Sequence, residues 1–202
     1  MNIITKVILT SKEEIKDKLV ERLELNKTHE QEWFEIFSGE KDWEQKTLAF
    51  YKVWSEQKVV KYLSENYEII KIVYVWFANI LSDLELKFWD IILPNAFINE
   101  ENNWVFVDYA VWENYDLNKF WLLMNWICLT IKSLEKYAWE TQEILEKYSP
   151  DVIDDESFYI LEELKNKDLM DKSVWIKLII SDSKEENIEI LENLINITEL
   201  VL

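Results

Sequence analysis

One glycine, Gly39, stands in a chain of 202 residues that has only two prolines. Glycine enters the left-handed backbone region without steric cost, so tight turns are commonly built on it. Anion-cradling loops use it for a further reason, because its missing side chain lets backbone N–H groups approach a phosphate. A chain this poor in glycine has little material for Walker-type or dinucleotide-binding loops, and none for a nucleophile elbow. The sequence therefore directs attention to regular elements.

Those elements have ample apolar material. Hydrophobic residues make up 49% of the chain and aromatics 14%, with eleven tryptophans. Each buried Trp removes roughly 200 Å² from water, an upper bound of about 5 kcal/mol. Disordered acidic segments lack such aromatics. The length suits a single globular domain over 1–202, with residues 151–202 as a possible acidic C-terminal subdomain.

Forty acids oppose 22 bases, a formal charge of −18, and Arg22 is the one arginine. Half of that charge, −9, falls in residues 151–202, where 14 acids meet five lysines. Such a field repels nucleic acid and draws basic surfaces. Cys128 is the only cysteine, so no intramolecular disulfide can form, and a reducing cytoplasm is the expected compartment. The start of the chain lacks a signal-peptide pattern. The longest uncharged run, Phe120 to Ile131, is too short to span a bilayer.

Local patterns favour helices. Ser11 to Glu14, Thr28 to Gln31, Ser82 to Glu85 and Ser183 to Glu186 each read as a capping box. The first leads into Ile15, Leu19 and Leu23, the second into Trp33, Phe34 and Ile36 with Gly39 as a stop. Lys41 to Glu65 reads as helix, and Asp116 caps a long one with the stripe Leu117, Phe120, Trp121, Met124, Ile127, Cys128, Ile131, Leu134 and Ala138. Pro94 ends one helix and Pro150 another. Ser157 to Lys165 reads as a short helix behind an acidic loop, Asp151 to Glu156.

Four segments can be strands: 2–9, 68–77, 104–112 and 174–180. Residues 67–77 also fit a buried helix. Lys6 to Glu14 echoes Lys177 to Glu186, which suggests that the chain ends pair in a small sheet. The expected fold is mainly α, a helix-rich single domain with at most a minor β-sheet; α+β is the alternative.

Catalytic and metal motifs are sparse. His29 and Cys128 are single residues and cannot form a zinc site; Cys128 reads as a small core side chain. No metal, cofactor or catalytic set is expected. Asp90 and Asp108 are lone acids in apolar runs, where burial would raise their pKa values as acid catalysis needs.

What remains is binding. The expectation is a non-enzymatic acidic inhibitor of a basic nucleic-acid-processing partner, in the manner of an immunity protein or a phage-type anti-CRISPR protein. It would imitate a phosphate field with Asp151, Asp154, Asp155, Glu156, Glu162, Glu163, Asp168 and Asp171. Exposed tryptophans, from among Trp33, Trp43, Trp104, Trp112 and Trp139, would add affinity. It would touch neither nucleic acid nor membrane directly. The alternatives are a carboxylate-only hydrolase using Asp90 and Asp108, and a structural subunit of a larger assembly.

Overall fold

The computed structural model describes residues 3–41, 43–81, 86–87, 90–107, 123–131, 141–180 and 188–202. Among them are ten strands and five α-helices, and they form two compact units. The helix-rich expectation is overturned. This is an α/β protein in which strands dominate.

The first unit comprises Met1–Trp76, Glu163–Trp175 and Asn187–Leu202. Its central strand is β1 (Ile3–Thr10), whose Val7, Ile8 and Leu9 are buried on successive, opposite faces. Burial on both faces is the mark of a parallel strand. β1 runs parallel to β4 (Glu44–Tyr51) on one side and to β5 (Tyr67–Ile80) on the other. β3 (Phe34–Lys41) adds antiparallel to β4, and β2 (Asn26–Glu30) to β3.

Helix α1 (Glu13–Arg22) follows β1, and α2 (Glu56–Asn66) connects β4 to β5 across β1. Val59, Val60 and Leu63 are the buried face of α2. The C-terminal helix α5 (Ile188–Val201) is tied back by ion pairs, Glu192 to Lys18 and Glu199 to Arg22 and Lys41. Part of the C-terminal negative charge is thereby matched within the fold.

Several elements differ from expectation. The Thr28 box is strand: Thr28 Oγ1 donates across β2–β3 to the carbonyl of Ile36 at 3.3 Å. Lys41 to Glu65 divides into β4 and α2. α1 begins as expected, but no side chain caps it. Residues 67–77 are β5, where Ile69, Ile72, Val73 and Val75 are β-branched and buried. The two ends of the chain do not pair through β1, because β4 and β5 already fill both of its edges.

Gly39 is not a helix stop. It lies in β3, and a Cβ there would come within 3.1 Å of Leu25 Cδ2 and 3.2 Å of the Glu24 carbonyl. The left-handed positions instead fall on Glu24, Trp43, Trp54, Asn102, Ser149 and Asp168, each with positive φ. For residues other than Asn and Asp this costs on the order of 1 kcal/mol each.

The second unit comprises Phe77–Glu162 and Ile176–Glu186. Its strand order is β10 (Ser173–Ile180), β6 (Ile91–Asn99), β8 (Leu123–Thr130), β9 (Val152–Asp154) and the end of β5, and β10 also pairs with β5. β6, β8 and β9 are mutually parallel. β7 (Trp104–Phe106) pairs antiparallel with β6. Pro94 sits inside β6 at a register irregularity, where a missing N–H is tolerated.

The expected long helix, running up to Pro150, is strand β8 over residues 123–130 and helical only over 142–148; residues 116–122 and 132–140 lie outside the described set, as do Ser82 to Glu85 and Ser183 to Glu186. Helix α3 (Gln142–Tyr148) ends on Ser149 in the left-handed conformation just before Pro150. Ile98, Leu129, Ile131, Ile144 and Ile153 form a core cluster beneath it. Helix α4 (Ser157–Asn166) is placed as the sequence suggests.

Two substitutions test the glycine account. Gly39→Ala should lower unfolding free energy by about 1–3 kcal/mol through overpacking. Trp43→Gly, at a site 94% exposed, should raise it by up to about 1 kcal/mol by relieving positive φ. Urea unfolding of both variants provides the comparison.

Candidate active site

A group of buried polar residues lies at the carboxyl ends of the parallel strands β8 and β9. Parallel pairing sets Thr130, the last residue of β8, opposite Asp154, the last of β9. The chain then turns through Asp155 and Glu156 into α4.

Asp154 organises that turn. Its Oδ1 accepts from Thr130 Oγ1 at 2.8 Å, from the Ser157 N–H at 3.2 Å and from the Glu156 N–H at 3.3 Å. Its Oδ2 accepts from Ser157 Oγ and from Lys177 Nζ, and Lys177 Nζ also donates to Ser157 Oγ. Thr130 Oγ1 in turn accepts from the Phe158 N–H at 3.1 Å. The first N–H groups of α4, which have no partner within a helix, are satisfied here by Asp154 and Thr130.

The Asp154–Lys177 ion pair has both side chains at 0% exposure. Burial alone would raise the Asp154 carboxyl pKa. The Lys177 charge and the hydrogen bonds from Lys177, Ser157 and Thr130 outweigh it, holding the carboxyl below its ordinary value. Burial, with Asp154 close by, pushes the Cys128 thiol well up. Cys128 is thus a protonated core residue and no nucleophile.

Glu156 is likewise fully buried. Its carbonyl accepts from the N–H groups of Tyr159 and Ile160 at 3.0 and 3.3 Å, so it is the residue that opens α4. A carboxylate at a helix N-terminus is favoured by the helix dipole. One turn on, the Tyr159 hydroxyl donates to Glu100 Oε2 at 3.0 Å, just beyond β6. Burial, and then the Glu100 charge, raise the Tyr159 pKa. Asn99 Oδ1 holds the adjoining turn through the N–H groups of Glu101 and Asn103. A cleft of about 230 Å³ is lined there by Glu100, Glu101, Asn102, Glu143, Lys147 and Tyr148, among others.

The acids singled out from sequence have varied surroundings. Asp154 and Glu156 are buried, and Asp155 is half-buried. Asp151 is half-buried, accepts the Ile127 N–H at 2.8 Å, and has its pKa raised by burial. Glu162 is exposed on α4. In the first unit Glu163 is half-buried, while Asp168 and Asp171 are exposed. Asp90 closes a turn by accepting the Lys87 N–H at 2.8 Å; Asp108 lies outside the described residues.

Of the tryptophans, Trp43 is exposed, Trp33 is partly exposed beneath Lys58, and Trp104 packs on Phe106 and Tyr148. Trp112 and Trp139 lie outside the described residues. Thr130 and Lys177 were not singled out from sequence. The available signal was a lone lysine inside the apolar run Val174 to Ile180.

Among the described residues, no cluster of His, Cys, Asp and Glu could hold a metal, and no helix is long and apolar enough to cross a membrane.

No family model and no curated protein matches the sequence. Solved structures do match, over nearly the whole chain. A Campylobacter jejuni 5′-methylthioadenosine/S-adenosylhomocysteine nucleosidase does so with a TM-score of 0.71 at 13% identity, covering 97% of this chain and 94% of its own. A P. knowlesi homologue of P. falciparum PNP gives 0.75 at 16%, covering 100% and 88%. A Helicobacter pylori futalosine hydrolase mutant gives 0.73 at 9%, covering 97% and 99%.

At these identities the likeness establishes the fold. It also overturns the expectation of a helical, non-enzymatic inhibitor in the manner of an immunity or anti-CRISPR protein, since the structures that share this architecture are α/β enzymes.

The ion pair makes two measurable demands. Lys177→Met leaves a buried carboxylate uncompensated and should cost about 3–5 kcal/mol, whereas the neutral double variant D154N/K177M should lose less. Because the folded Asp154 carboxyl lies below its unfolded value of about 3.9, its contribution is complete above that pH. It is lost as pH falls through the folded value. Acid titration of unfolding stability should show this component in the wild type and not in the double variant.

Proposed function

We propose that this chain is a hydrolase of the N-glycosidic bond of purine nucleosides, with 5′-methylthioadenosine as the first substrate to try. The observation that carries the reading is the fixed, buried Glu156 at the carboxyl end of β9, in a fold whose solved examples include nucleosidases. Glycosidic cleavage passes through a transition state with positive charge on the sugar. A carboxylate shielded from water stabilises such charge far more than one in solvent. Glu156 is closed off from solvent, so the reading requires side chains over it, and not the Asp154-held turn itself, to part as substrate enters.

Water, and not phosphate, is the proposed nucleophile. Glycine-lined N–H cradles and arginine forks are two common ways of holding phosphate. The only glycine is packed inside β3, and the only arginine is occupied by Glu199 and Asn196. This favours the hydrolytic neighbours over PNP as guides to the reaction. The lone, buried thiol accords with a cytoplasmic setting.

The test is chromatographic detection of free base after incubation with purine nucleosides, with and without inorganic phosphate. Release that is independent of phosphate is expected; no release, or release only with phosphate, contradicts the reading. Glu156→Gln should lower kcat by about 10²–10⁴-fold while leaving a cooperative unfolding transition.

A further inference from the structure

Lys177 is a costly residue to bury. It interrupts the apolar strand Val174, Trp175, Ile176, Leu178 and Ile179, all of them buried with it. Replacing a buried ion pair by apolar groups of similar size is commonly neutral or stabilising, so stability is a weak reason for its presence. Its contacts suggest a different one. β10 pairs with β6 and β5, while β9 pairs with β8 and β5. The Lys177 side chain therefore reaches from β10 to a turn that is not its neighbour in the hydrogen-bonded order.

At that turn its ammonium meets Asp154 Oδ2 and Ser157 Oγ. These residues flank Glu156 at positions −2 and +1. The other Asp154 oxygen holds the Glu156 N–H itself. A single cation thus braces both sides of the residue proposed to face the sugar.

We propose that Lys177 is a positioning residue, whose hold on Asp154 and Ser157 fixes the turn that presents Glu156 to the nucleoside. The proposal rests on the hydrolase reading for its catalytic consequence, and on the hydrogen-bond geometry alone for its structural one. Small misplacements of a reacting group cost rate steeply, even when ground-state binding is unchanged.

The experiment compares wild type, D154N/K177M and Ser157→Ala by steady-state base release and by amide hydrogen exchange. The double variant removes the charge from both partners. Ser157→Ala removes one contact of Lys177 and keeps the ion pair. Expected are a fall in kcat of about 10²-fold in the double variant and about tenfold in Ser157→Ala, with KM changed by less than about threefold. Exchange at Ser157 and Phe158 should rise by about tenfold or more while the interior of α4 keeps its protection.

Should the double variant fail to fold, Ser157→Ala decides. Wild-type kcat together with wild-type exchange at Ser157 and Phe158 overturns the proposal. Should the wild type release no base from any nucleoside, the hydrolase reading fails. The exchange data then decide the brace alone, with unchanged protection overturning it.

Discussion

A lysine and an aspartate removed wholly from water tolerate each other only in contact, and the upper end of the second unit is arranged around that contact. Asp154 accepts from Lys177, Thr130, Ser157 and the backbone of Glu156. A carboxylate with so many donors has its charge compensated where solvent cannot do it. The same bonds satisfy the start of α4 and join the ends of β8 and β9. Removing any member would leave a buried polar group without its partner. These bonds fix the backbone of the turn that carries Glu156.

Glycine scarcity shapes the rest. Turns that would ordinarily fall on glycine are made by Glu24, Trp43, Trp54 and Ser149, and the one glycine is used where β3 passes close to Leu25. The strain at those turns is outweighed by strands buried on both faces, each apolar side chain contributing about 1.5–3 kcal/mol. The same scarcity bears on chemistry. The one glycine and the one arginine are both engaged elsewhere, Gly39 inside β3 and Arg22 with Glu199 and Asn196.

Much of the fold was hidden from sequence for one reason. A parallel strand covered on both faces reads as a continuous apolar run, and its residues match a helical stripe as well as a strand. Met124, Ile127 and Cys128 fit helical spacing, yet they belong to β8. Capping-box letters were equally ambiguous: Thr28 sits in a hairpin, where its hydroxyl bonds across strands. Segments with less ambiguous neighbours were legible, among them β1, β10, α1 and α4. The site was half-legible. Asp154 and Glu156 were singled out for their charge, as part of a surface; the one hint that Asp154 turns inward is Lys177, a lone lysine in the apolar run Val174 to Ile180, and its partner cannot be read from the letters.

The central claim is that Glu156 faces a bound nucleoside. It is tested most directly by a crystal structure of the Glu156→Gln variant soaked with 5′-methylthioadenosine. The account predicts intact ligand with its ribose within hydrogen-bond distance of residue 156 and the Asp154–Lys177 contact preserved. Ligand bound elsewhere on the protein, or a ribose out of reach of residue 156, would contradict it.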